Sequence, residues 1–189
     1  MNFINRFFSY KPGFYSGTVY DRVDDLKFLK PLILNNTVLD IGSNIGIVAY
    51  EIGKFKPKKI HLLERSSRCL NISKVLLSSV NFSLSFNAIN LSKSRILKSY
   101  IRTNKIEKSY DVVLMLAIYQ HMKKQSSAKV LSENINDIFS LANKFIVFRV
   151  PLKLKKEIYS ISKKNGFDLF FEKPENNNRG PLIVFKKFS

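Results

Sequence analysis

Cysteine is nearly missing from this chain of 189 residues: Cys69 stands alone, so no intramolecular disulfide can form. Nothing in that usage asks for an oxidising compartment, and a cytoplasmic setting is expected. Histidine is almost as scarce, with only His61 and His121, and no cysteine–histidine cluster has metal-ligand spacing; no metal is expected. Long apolar runs are absent too. The stretch Val112–Tyr119 falls far short of the roughly 20 residues that span a bilayer. The segment Met1–Tyr10 places Arg6 in a phenylalanine-rich run without an adequate h-region or a small-residue cleavage site, so a secretory leader is not expected. Acidic residues are few: 14 Asp and Glu against 32 Lys and Arg give a net charge of +18.

What is present fits a soluble globular domain. Hydrophobic residues make up 45% and the mean hydropathy is −0.08, which excludes a disordered chain. The length suits one domain with a sizeable core. The positive charge has two readings. A polyanionic partner such as nucleic acid, a phosphorylated glycan or an anionic lipid surface is one. The other is compositional drift, since lysine outnumbers arginine and falls in scattered pairs such as Lys58-Lys59, Lys155-Lys156 and Lys186-Lys187. Charge alone does not choose between them.

From residue 36 onward, apolar runs alternate with longer amphipathic segments. The pattern predicts strands near 36–41, 59–63, 82–86, 111–117, 144–149, 167–172 and 181–187, and helices near 21–31, 45–55, 66–79, 91–103, 124–142 and 153–165. Pro57 should stop the helix after the first strand, Ser66 should cap the next, and Asn165-Gly166 should close the last. Such alternation implies an α/β fold, a mostly parallel sheet with helices on both faces. The last two strands are joined without a helix, through Pro174 to Pro181, and must be antiparallel. Residues 1–20, aromatic and basic, lie outside the alternation and read as an arm or lid; 21–189 read as a single domain.

In such a sheet, ligands bind beyond the carboxyl ends of the parallel strands. Residues 38–46 read Val-Leu-Asp-Ile-Gly-Ser-Asn-Ile-Gly, a short strand running into a glycine turn that aims backbone N–H groups at one spot. That edge receives Asp40, Gly42, Ser43, Asn44 and Gly46 from the first strand. Glu64 ends the second, 24 positions past Asp40 (64 minus 40), where a carboxylate can accept both hydroxyls of a ribose. Arg65 follows it. The third strand ends at Phe86-Asn87-Ala88, and Asn87 can hydrogen-bond an adenine edge. The fourth, Asp111 to Ala117, delivers Leu116 and then Tyr119, Gln120 and His121.

Taken together these residues resemble the class I S-adenosylmethionine-dependent methyltransferases from about Thr37 onward. The likeness rests on the Asp-x-Gly-x-x-x-Gly turn, the acidic end of strand two, the Asn-Ala step, the Tyr-Asp-Val-Val opening of strand four and the antiparallel seventh strand. The segment Leu-Ala-Ile-Tyr-Gln-His-Met looks closest to the small-molecule and saccharide-modifying branch. Asn44 replaces the middle glycine of the fuller glycine pattern, and Asn87 stands where an aspartate is common. The resemblance implies S-adenosylmethionine as cofactor, with Glu64 on the ribose, Asn87 and Ala88 by the adenine, and the glycine turn beside the methionine portion. A nicotinamide enzyme is disfavoured because the turn lacks Gly-x-Gly-x-x-Gly.

Methyl transfer from a sulfonium is mainly a matter of alignment, aided by a base where the nucleophile must lose a proton. His121, just past strand four, is the candidate base, and Tyr119 could shape the acceptor pocket. His121 could equally cap or pack against the following helix, and Tyr119 could equally belong to the core. Arg149 and Arg179 should border the rim, and Arg22 could bind the cofactor's carboxylate, because arginine makes paired hydrogen bonds to carboxylate and phosphate. An anionic small-molecule or glycan acceptor is therefore expected, with Tyr15 and Tyr20 as lid residues over it. Two rival readings stand: an RNA methyltransferase using the basic surface, and a catalytically inactive protein that keeps the fold as a binding scaffold. A monomer and a homodimer fit equally well.

Overall fold

A computed structural model of the protein describes residues 23–174 and 180–188, apart from the side chain of Asp24. The chain opens with a 3₁₀ helix over Asp24–Leu29 and a short α1 at Lys30–Ile33. There follow β1 (Thr37–Ile41), α2 (Ile47–Gly53), β2 (Lys59–Glu64), α3 (Ser67–Leu76) and β3 (Ser83–Ala88). The second half runs α4 (Ile96–Arg102), β4 (Tyr110–Leu116), α5 (Tyr119–Gln125), α6 (Ala128–Leu141), β5 (Ala142–Arg149), α7 (Leu152–Lys164), β6 (Phe167–Lys173) and β7 (Leu182–Lys187).

All seven strands form one sheet in the order β3-β2-β1-β4-β5-β7-β6. The pairs among β1 to β5 are parallel, and β7 runs antiparallel to both β5 and β6, as the helix-free connection requires. Side chains alternate strictly across the sheet. Along β4, Val112 and Leu114 pack with Ile33, Ala49 and Ile52 on one face, while Val113 and Met115 pack with Leu97, Ile138 and Ile158 on the other. The central strands are thus buried on both faces, and polar chemistry is left to their ends.

Several helix boundaries differ from the sequence expectation for local reasons. The helix expected over 21–31 is a 3₁₀ turn followed by one α-turn in its described part. That expected over 124–142 is two helices, broken at Ser126, because Ser127 starts a new one by accepting from the Val130 amide at 3.4 Å. The segment before α4 is a loop, with Asn90 Oδ1 accepting from the Ser92 amide and Arg95 in the left-handed region at φ +52°. Helix α2 ends at Gly53, ahead of Pro57. Ser66 does cap α3, accepting from the Cys69 amide at 3.3 Å, and Gly166 follows α7 with φ +80°. Among the described residues no helix is long and apolar enough to cross a membrane.

Candidate functional site

Strand order reverses between β1 and β4, so the loops that follow them part in opposite directions and leave a crevice at the carboxyl edge. A cleft of about 1080 Å³ lies there, walled by the ends of β1, β2, β4 and β5. Its floor is the glycine turn. The amides of Gly42 and Ser43 both donate to the Leu63 carbonyl, at 2.8 and 3.1 Å, which ties the turn to β2. Gly42 adopts φ +76°, and a Cβ there would stand 2.8 Å from Cδ1 of Ile118. Gly46, at φ +83°, packs against Ser73, whose hydroxyl donates to the Asn44 carbonyl. Asn44 itself is left-handed at φ +53°, which asparagine tolerates. The glycines are required by backbone conformation and close approach together.

Two carboxylates meet at this floor. Glu64 accepts from the Asn44 amide at 3.0 Å and the Ser66 amide at 2.8 Å, so one side chain joins the β1 turn to the start of α3. Each oxygen retains acceptor capacity for a ligand. Asp40 is buried, and its Oδ2 has no hydrogen-bond partner among the described residues. Burial, with the Glu64 charge adding to it, pushes the Asp40 carboxyl up to about 7. The Ser43 hydroxyl is likewise buried and unpartnered among the described residues. Unsatisfied acceptors at a cleft floor are costly unless a donor-bearing ligand completes them. The donor set this floor lacks is one that a polar, donor-bearing ligand would supply.

Of the other residues expected here, Arg65, Leu116, His121 and Arg149 line the cleft. Arg65 donates to Gln125 Oε1 at 2.9 Å. The Arg149 guanidinium, mostly buried, pairs with Asp25 at 2.5 Å, which ties the N-terminal 3₁₀ helix to the end of β5. It is a cleft wall residue already engaged by a carboxylate, rather than the open anion hook the sequence suggested.

Asn87, Ala88 and Tyr119 do not line the cleft, and the expectation for each is corrected. Strand β3 runs on through Ala88, so Asn87 is still inside the ladder and its side chain lies along the sheet face. There its Oδ1 meets His61 Nε2 at 2.6 Å, while His61 Nδ1 meets the Tyr110 hydroxyl at 2.7 Å. The following residues, Ile89 to Ser92, form the cleft wall instead. Tyr119 is buried in the core and donates its hydroxyl to Glu157 Oε1 on α7 at 2.5 Å. Lys123 binds the other Glu157 oxygen, and burial and that carboxylate raise the Tyr119 phenol well above its usual range. Arg22, Tyr15, Tyr20 and Arg179, with the arm over residues 1–20, lie outside the described residues.

Asn90, two residues past Ala88, also lines the cleft, and the sequence offers no signal for it. Gln120, which the sequence delivers to this edge without a role, has a buried Oε1 with no partner among the described residues, a property visible only in three dimensions. Ala117, at φ +60°, makes the bend that turns β4 into α5 and carries Gln120 and His121 to the cleft.

No sequence-family profile matches the chain. A curated protein of Dictyostelium discoideum named dTDP-D-glucose 4,6-dehydratase is 31% identical over 161 residues, which cover 82% of this chain and 34% of that protein. The chain thus spans about a third of its length. Among solved structures, it is similar to magnesium protoporphyrin IX methyltransferase from Synechocystis PCC 6803 with bound S-adenosylmethionine: 14% identity, 98% of this chain and 91% of that one covered, TM-score 0.68. It is also similar to the N-methyltransferase NodS of Bradyrhizobium japonicum: 9% identity, 89% and 94% covered, TM-score 0.67. With the strand order and the antiparallel β7, these likenesses show that the chain has the class I S-adenosylmethionine-dependent methyltransferase fold.

Proposed function

We propose that this protein is an S-adenosylmethionine-dependent methyltransferase acting on a hydroxyl of a small saccharide that carries phosphate, most simply a nucleotide-linked sugar. The observation that carries the cofactor assignment is the cleft floor, where the buried, unpartnered Asp40 and the turn-binding Glu64 flank the tight glycine turn. When bound, adenosylmethionine supplies a methyl group already activated by its sulfonium. The chain's own residues then have three tasks. Glu64 accepts from the ribose hydroxyls, and Asp40 and Ser43 accept from the ammonium. His121 takes the proton that the acceptor hydroxyl must lose. Leu116 and Ile118, which line the cleft beside the glycine turn, align the reactants.

Two features favour the acceptor class. The Arg65 guanidinium lines the cleft wall beside the acidic floor, which suits a ligand with an anionic part. The Dictyostelium relative is named for an enzyme of a nucleotide-linked sugar. RNA as acceptor is favoured only by the net charge of +18. A methyl-release assay against dTDP-D-glucose, sugar phosphates and RNA tests the proposal. Turnover with the first is expected; turnover confined to RNA, with binding that falls steeply with salt, would replace the acceptor reading. Failure to bind adenosylhomocysteine in calorimetry would leave only a scaffold role.

A further inference from the structure

We infer that Gln120 is the specificity-determining residue for the acceptor, its side-chain oxygen taking a hydrogen bond from a hydroxyl of the nucleotide-linked sugar. The inference rests on the methyltransferase reading and adds to it a residue on the acceptor side of the cleft. Helix α5 is held in rotation by Tyr119, whose hydroxyl reaches Glu157 on α7 while its ring lies in the core. With Tyr119 fixed inward, Gln120 and His121 come round to the cleft, which Arg149 also lines from the adjacent end of β5, and stand next to Ile118, which approaches the glycine turn.

Gln120 Oε1 is buried and has no partner among the described residues. A carboxamide oxygen in that state lacks a donor, and native structures seldom leave such a group unsatisfied without a purpose. Gln120 lines the cleft, so a ligand bound there can bring the donor. The cofactor's expected ammonium and ribose are matched by Asp40, Ser43 and Glu64 from the β1 and β2 ends, whereas Gln120 stands on α5 beside His121, and we assign its donor to the second reactant. An amide oxygen can only accept, so it favours a hydroxyl and penalises an ether or carbonyl at the same place. Sugars are dense in hydroxyls, and one hydroxyl held by Gln120 would present its neighbour to His121, the next residue in the chain.

Calorimetry on the full chain tests this in two titrations, first adenosylhomocysteine into the protein, then dTDP-D-glucose into the saturated complex. Gln120→Met keeps the length of the side chain and removes the acceptor; Gln120→Glu keeps an acceptor oxygen. We expect the Met variant to bind dTDP-D-glucose roughly 10- to 100-fold more weakly than the wild type. The Glu variant should stay within about threefold, because an oxygen remains to accept. Adenosylhomocysteine should bind all three proteins within about twofold of one another, which also certifies that the variants are folded. The inference is overturned if the Met variant binds the sugar nucleotide as the wild type does, if both variants lose it equally, or if the saturated wild type does not bind it. Failure of the wild type to bind adenosylhomocysteine in the first titration overturns the methyltransferase reading, and Gln120's role with it.

Discussion

Asp40 illustrates how a single buried group couples chemistry to pH. In the ligand-free cleft its carboxyl sits near pH 7, raised by burial and by the Glu64 charge. An ammonium beside it favours the carboxylate, so binding must release a proton wherever Asp40 starts protonated. Adenosylhomocysteine affinity should therefore rise with pH, by roughly tenfold between pH 6 and pH 8, and level off above. Calorimetry in buffers of different ionisation enthalpy reads the released proton directly, and Asp40→Asn should abolish the release. Gly42 is sensitive for a different reason. At φ +76°, with Ile118 Cδ1 2.8 Å from any Cβ, Gly42→Ala should cost about 1–3 kcal/mol in urea unfolding and displace the turn that holds the cofactor.

Between elements, polar side chains act as pins. His61 on β2 links Tyr110 on β4 to Asn87 on β3, and since the Tyr110 oxygen accepts from the Glu107 amide, its hydroxyl donates to the imidazole. That pattern needs a neutral His61, and burial, with Lys59 nearby, lowers its affinity for a proton despite the hydrogen bond to Asn87. A folded-state value below the unfolded one, about 6.5, means the unfolded chain binds more protons. Stability should be full above pH 6.5 and fall as the pH drops below it, by at most about 1.4 kcal/mol per pH unit. Urea unfolding of His61→Gln should lack that component. Tyr119 pins α5 to α7, so Tyr119→Phe should lose about 1 kcal/mol of stability and leave adenosylhomocysteine affinity intact, the reverse of a catalytic residue's behaviour. These pins explain what was legible in the sequence. Short continuous apolar runs bounded by turn residues, and the glycine turn, are local signals, and the seven strands lie where those signals predict. The Ser126–Ser127 break is not legible as a helix boundary because the polar run Lys123 to Ser127 carries no periodicity, and only the Ser127 cap on the Val130 amide marks the new start. The engagement of Asn87 by His61, and the choice of core over pocket for Tyr119, are not legible because the partners, His61 and Glu157, are 26 and 38 residues away. Gln120 is placed at the edge by sequence but given no role, because an unpaired oxygen has no sequence signature.

At the scale of the whole molecule, the sheet concentrates polar function at one edge because its interior is closed on both faces. Strand order brings Asp40 and Glu64 together from β1 and β2, while α5, following β4, supplies Gln120 and His121, and β5 supplies Arg149. The central claim is that this crevice grips an adenosyl nucleoside by its floor. The direct measurement is a crystal structure of the protein with adenosylhomocysteine. The account predicts the ribose hydroxyls in hydrogen-bond contact with the Glu64 carboxylate and the ammonium beside Asp40; a nucleoside seated elsewhere, or a floor left empty at saturating ligand, would contradict it.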